Sequence, residues 1–423
     1  MKIKMKRNSK RIVSVFLSFV LIAMLIPLSG IIATAEVPET IDVYSEQAGY
    51  FVTYNLKNDK LPDGMEWDDE NGRLILNGYN GTIISATGPG GKIEIYVYGT
   101  NTINGDSFGC LNFGEVILKG SPDAVLNLHG KNRPIYRVEL DVYDVQLNIK
   151  ADDQDGEATC SGMYNSSVTL NGSAKLSVNV KRNISSGARV YGLIDCTLTV
   201  KDEATVDILV DGIGSTYDVS GLNGSNLNLQ GKGEVYIETK NDNGDGKSSV
   251  GDYYTTITVD DLSNYTVVGA KGESILRYVP APKLLEGEAS KWTSGSATGL
   301  SFKSSARFGD LREVKVDGAE VSSENYTHTS GSTVVTLKQS FLESLKVGAH
   351  QIAITSIGGT VTANFEILAS PEPTATTVGT KPVAADTIAP TGDMNNVVSQ
   401  LALVVALGGL AVAAGVARRK EEK

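Results

Sequence analysis

Histidine and cysteine are scarce: three of each in 423 residues, with only two Trp. His129, His328 and His350 lie far apart, and no Cys or second His stands at ligand spacing from any of them. That excludes an ordinary zinc site and argues against a His-based nucleophile system. Proline is also sparse, at 12 residues, and 45 Gly show no three-residue period, so the chain is not collagen-like. With 41% hydrophobic and 21% charged residues it is globular rather than disordered, and long enough for two or three modules.

Long apolar runs are confined to the ends. Lys2, Lys4, Lys6, Arg7, Lys10 and Arg11 precede an apolar run over 12–26, broken at Pro27, and Ala33-Thr34-Ala35 forms an A-x-A site before Glu36. Residues 1–35 therefore read as an export signal, cut between Ala35 and Glu36. Residues 401–417 carry no charge, and Arg418, Arg419 and Lys420 follow at once. This reads as a transmembrane helix with a cytoplasmic basic stop.

Between the ends, basic residues are few. The two terminal segments, 1–35 and 392–423, hold ten of the 38 Lys/Arg and three of the 49 Asp/Glu, so 36–391 carries 28 basic against 46 acidic residues, a net −18. Such a field repels nucleic acid and anionic glycans, which excludes a nucleic-acid partner and favours a neutral glycan.

Just before the apolar run stand Ile388-Ala389-Pro390-Thr391-Gly392. A pentapeptide ending Thr-Gly, an apolar span and a basic tail together resemble the sorting signal of sortase-anchored, LPXTG-like Gram-positive surface proteins. In that family a transpeptidase cysteine attacks the Thr–Gly carbonyl and passes the acyl group to a cell-wall amine. The resemblance implies cleavage between Thr391 and Gly392, a sortase as partner, peptidoglycan attachment and a cell-wall location. Ile388-Ala389 departs from the usual Leu-Pro.

The middle of the chain repeats. With Gly88, Leu111, Ile135, Met163, Leu193, Leu222 and Asp252 as starts, the spacings are 23, 24, 28, 30, 29 and 30. Five residues after each start lie Ile93, Val116, Leu140, Val168, Leu198, Leu227 and Ile257; seven after lie Ile95, Leu118, Val142, Leu170, Val200, Leu229 and Val259. All are aliphatic, and the residue between them is polar in six repeats of seven, which is strand alternation. Second strands follow in most repeats, at Ala124/Leu126/Leu128, Leu176/Val178/Val180, Val206/Ile208/Val210 and Val235/Ile237. A short period with strands in one phase predicts parallel rungs, a parallel β-helix (β-solenoid) over 72–280 capped by 36–71. Trp67-Asp68-Asp69-Glu70-Asn71-Gly72-Arg73-Leu74-Ile75-Leu76 resembles the opening of β-helical repeat regions in Firmicutes surface proteins, a class associated with carbohydrate binding.

From 283 the period disappears, while alternation and the turn pairs Asp317-Gly318 and Gly358-Gly359 continue. Residues 283–369 predict an Ig-like β-sandwich. Val314-Lys315-Val316-Asp317-Gly318, Ser332-Thr333-Val334-Val335-Thr336-Leu337 and Phe341 through His350 resemble Ig-like modules of clostridial surface and scaffolding proteins. Residues 370–387, rich in Pro, Thr and Ala, read as an extended stalk. The sorting signal occupies 388–423. The fold class expected is all-β between a signal peptide and a C-terminal helix.

Four candidate groups remain. Tyr96, Tyr98, Tyr136 and Tyr164 should face outward, the last two in consecutive rungs, as an aromatic surface for a sugar. Asn241, Asn243, Asp245 and Asp252 match part of a calcium loop, with Asn in place of the first Asp, no bidentate Glu at the end and no flanking helices; an ordinary turn is the alternative. Asp152-Asp153-Gln154-Asp155 and Asp260-Asp261 are acidic turns that lack a His or Arg neighbour in sequence. Cys110, Cys160 and Cys196 fall in different rungs and read as free buried thiols. The expected function is adhesion or glycan binding at the cell surface without enzymatic activity. A polysaccharide lyase or glycoside hydrolase of the β-helix type, or a passive spacer, are the alternatives.

Overall fold

The structure, a computed structural model, describes residues 39–85, 92–105, 109–153, 159–183, 189–242, 246–329 and 332–370. The export signal with Ala35 and Glu36, the stalk beyond Ser370 and the sorting signal at Ile388, Ala389, Pro390, Thr391 and Gly392 lie outside them. The described chain is nearly all-β.

Each repeat supplies strands to two parallel sheets. The first stacks Lys92–Tyr98, Leu111–Gly120, Ile135–Tyr143, Ser167–Asn171, Thr197–Val200, Asn226–Leu229 and Thr256–Val259. Its pairing joins Ile93 to Val116, Leu140, Val168, Leu198, Leu227 and Ile257 in turn, the same positions that the spacing equates. The second sheet stacks Thr100–Asn104, Val125–Gly130, Gln146–Asp153, Lys175–Asn183, Thr205–Ile213 and Val235–Lys240. Leu147 and Ile149 fill a rung that the sequence pattern passed over. The aliphatic residues of both sheets meet in one core, where each buried Leu, Ile or Val contributes about 1.5–3 kcal/mol. Ile257 and Val259, in the last rung, are only half-buried.

The first and last rungs correct the start register: Ile84 is the residue paired with the Leu111 start, and Gly88 lies outside the described residues. In the last rung Leu222 pairs with Gly251, not Asp252, while Leu227 pairs with Ile257. One extra residue therefore sits between the two strands of that rung, at the exposed Tyr253–Tyr254 corner.

Three stacked columns shape the corner that follows the strands Thr159–Tyr164, Arg189–Ile194 and Val219–Asn223, which also belong to the first sheet. Two residues after the starts, Arg137, Asn165, Asp195 and Gly224 all hold positive φ, at 55°, 48°, 50° and 58°. Gly, Asn and Asp suit this conformation; an Arg there costs on the order of 1–2 kcal/mol. One residue further, the Ser166 hydroxyl accepts the Val138 N–H and donates to the Tyr164 carbonyl. Ser225 serves Cys196 and Asn223 in the same way. Before the starts, Gly162, Gly192 and Gly221 bring the sheets close: a Cβ on Gly192 would lie 2.6 Å from Ile208 Cγ2 of the second sheet.

Antiparallel strands close both ends. Thr40–Ser45 pairs with Tyr50–Asn55 and with Ile84–Ser85. At the other end Ile275–Pro280 lies antiparallel on Val235–Lys240, with Tyr265–Gly269 outside it.

Residues 284–368 form a four-stranded and a five-stranded sheet around Trp292, Phe302, Val335, Ile352 and Phe365. Asp317 and Gly318, at φ 51° and 81°, turn the hairpin that pairs Val316 with Ala319. These two sheets are tied to the repeats by charge. Arg277 donates to Asp310 and Glu234, and Arg307 donates to Glu234 and Asp207. Asp310 holds the Arg277 guanidinium charged, its pKa raised against the opposing effect of burial and with Glu234 adding to the rise.

Candidate functional site

The parallel register sets Tyr136 directly against Tyr164. Their ring centroids are 5.5 Å apart with planes inclined by 20°, so the rings stack along the sheet at nearly the strand spacing. Both are half-buried. The stack is two rungs long, because the next residue in the column is the buried Ile194.

Two arginines complete the cluster. The Arg133 guanidinium lies over the Tyr164 ring at 4.7 Å, and that of Arg137 over Tyr136 at 5.2 Å. Such contacts are worth about 0.5–1 kcal/mol at exposed sites. Both arginines have positive φ, and the Arg133 N–H is tied to the Ser161 carbonyl at 2.9 Å. The charge count over 36–391 favours rings without ionic partners; at this place the structure adds two cations. The cue available in the sequence was Arg137 itself, which fills a slot held by Asn, Asp and Gly in the following rungs.

Tyr96 and Tyr98 stand elsewhere on the same sheet. Their rings are 4.9 Å apart at 47°, and Tyr98 is 39% exposed. Arg73 lies 4.4 Å over Tyr96, with its Nε bound to Asp68. Along the Tyr96 column the next residues are Lys119 and Tyr143. The Tyr96 and Tyr136 columns are seven strand positions apart, about 20 Å. The four tyrosines therefore form two places, not one.

The candidate calcium ligands are occupied where they are described. The Asn241 amide donates to the Ser215 and Gly246 carbonyls and accepts the Ser215 N–H. Asp252 accepts from Asn223, the Gly224 N–H and Thr255. The two side chains share no partner, and each ties a different turn. Asn243 and Asp245 lie outside the described residues.

Of the two acidic segments read as turns, Asp152 and Asp153 instead end the strand Gln146–Asp153, while Gln154 and Asp155 lie outside the described residues. Asp261 caps the short helical turn Leu262–Asn264 by accepting from the Ser263 hydroxyl and N–H, which lowers its pKa. Asp152 pairs with Lys150 at 3.4 Å. The three thiols are buried and unbridged, and burial pushes those of Cys110 and Cys196 up to about 12. A shallow groove of about 250 Å³ on the second sheet is lined by Asn179, Lys181, Leu209, Asp211, Glu238 and Lys240. No protein-family model and no curated protein matches this sequence.

Proposed function

We propose that this chain is an exported surface protein of a Gram-positive wall, displaying a parallel β-helix and an Ig-like sandwich that bind glycan without chemically altering it. The export signal, stalk and sorting signal read in the sequence support the location. The long parallel ladders over Arg73–Val259 support the β-helix, and the two sheets over Leu284–Leu368 support the sandwich. In this reading a sortase cleaves after Thr391 and joins the chain to peptidoglycan, and the membrane helix serves only before that step.

The observation that carries the binding reading is the Tyr136–Tyr164 stack. Outward aromatic pairs present apolar surface beside polar groups, which suits the CH groups and hydroxyls of a sugar. The net −18 opposes polyanions, so the ligand is a glycan of low charge density.

The test has two arms on intact cells. A glycan array read with wild type and with the Tyr136→Ala/Tyr164→Ala double variant should show specific spots lost in the variant. Muramidase should release wild type, while Thr391→Ala stays with the membrane. Equal array signal from both proteins discards the tyrosine site. Wild type that needs detergent for release discards wall anchoring.

A further inference from the structure

Arg133 and Arg137 differ from Arg73, Arg277 and Arg307, each of which binds a carboxylate. Neither Arg133 nor Arg137 has an ion-pair partner among the described residues; their guanidiniums lie over the tyrosine rings. The Arg133 Nε is shut off from water and has no hydrogen-bond partner. Contact with a ring consumes none of a guanidinium's N–H donors, which lie along its edges. Those edges match a carboxylate in a two-point fork.

The backbone points the same way. Arg137 holds the left-handed conformation at a column position where Asn165, Asp195 and Gly224 serve without an arginine. Arg133 holds it too, at φ 53°. Two strained arginines, unpaired with carboxylates, flank one stacked ring pair. Strain of this kind concentrates at functional sites.

We infer that Arg133, Arg137, Tyr136 and Tyr164 form a subsite for a sugar carrying one carboxylate, such as a terminal uronic acid. This rests on the glycan-binding reading and specifies its ligand. The rings take the sugar's CH face and the guanidiniums its carboxylate. The same geometry accounts for one charge and not many. The chain's negative field acts on a long polyuronate over its whole length, whereas a single carboxylate in contact with two guanidiniums lies within a Debye length of about 8 Å.

The experiment is calorimetry on the purified full-length protein with three probes: a disaccharide ending in glucuronate, the same disaccharide ending in glucose, and sodium acetate. Wild type should bind the acidic disaccharide about tenfold more tightly than the neutral one, and acetate far more weakly than either. Arg137→Gly tests the arginine without endangering the fold, because glycine relieves the positive φ. Its melting temperature should rise while its preference for the acidic disaccharide falls. Equal affinity of wild type for the two disaccharides overturns the carboxylate subsite and leaves glycan binding standing. Binding of neither disaccharide overturns both. Acetate binding as tightly as the acidic disaccharide overturns the sugar part, and a preference kept in Arg137→Gly overturns the role of that arginine.

Discussion

The Arg277 guanidinium grips Asp310 at two points, Nη1 to Oδ1 at 2.8 Å and Nη2 to Oδ2 at 2.7 Å. The two residues come from different sets of sheets: Arg277 from the antiparallel strand Ile275–Pro280 at the end of the repeats, Asp310 from the region of the four- and five-stranded sheets. Asp310 is 4% exposed. Removing its carboxylate leaves Arg277 in a dry place with Glu234 as its remaining acidic partner.

Asp310→Ala should therefore destabilise the protein by about 3 kcal/mol. Lys283→Ala, which breaks the exposed Lys283–Glu203 pair at the same junction, should cost under about 0.5 kcal/mol. Denaturant midpoints for the two variants check this. Similar small shifts would mean that the junction does not hold the modules together.

Leu198 is fully buried between Val168 and Leu227, and Thr199 beside it points outward. Leu198→Asp places an unpaired carboxylate in the core and should cost several kcal/mol. Thr199→Asp should cost about 0.5 kcal/mol or less. Comparable melting shifts for both would contradict the strand register.

A methyl group on Gly192 would meet the Gly221 oxygen and the Ile208 Cγ2 at 2.6 Å or less. Gly192→Ala should force the two sheets apart at a cost of about 1–3 kcal/mol. Gly272→Ala meets nothing within 4 Å and should leave the melting temperature unchanged within error. A tolerated alanine at 192 would show that the sheets are not in close contact there.

His350 donates through Nδ1 to Asp317 at 2.6 Å, and its Nε2 faces the Lys346 carbonyl at 2.7 Å. Burial lowers the imidazole pKa, but these two acceptors outweigh it and raise the value above 6.5. Burial likewise raises the Asp317 pKa, and the His350 and Gln351 hydrogen bonds outweigh it and lower the value below 3.8. The His350 contribution is complete below 6.5 and fades as pH rises through its higher folded value. The Asp317 contribution is complete above 3.8 and fades as pH falls through its lower folded value. The pair should thus stabilise most near pH 5–6, by about 0.5 kcal/mol. His350→Gln should remove the decline in melting temperature between pH 6 and 9. An unaltered pH profile in that variant would assign the decline to other groups.

The repeat was legible because the inward residues at Ile93 through Ile257 carry a chemical signature that survives in every rung. The corner columns were less legible. Ser166 and Ser225 look like ordinary turn residues, and only the stacking shows that each hydroxyl serves the rung before it. The last rung misled the spacing by one residue because its insertion falls in an exposed corner, where no core position constrains it. Tyr136 and Tyr164 could be placed in consecutive rungs from their offset alone. Arg133 and Arg137 could not be placed over the rings, because a long flexible side chain at a corner has no periodic partner to fix its direction.

The antiparallel strands at the two ends of the ladder bear on how such a chain changes length. Each interior repeat faces a neighbour like itself, joined by the same parallel backbone pairing and the same aliphatic columns. A duplicated stretch of 28–30 residues would enter the stack between two existing rungs and find both of its faces already matched. The antiparallel strands, Tyr50–Asn55 outermost on the first sheet at one end and Tyr265–Gly269 outermost on the second sheet at the other, would keep their places. The length of the ladder can thus grow or shrink in steps of about 5 Å by duplication or deletion, with no new core to be invented.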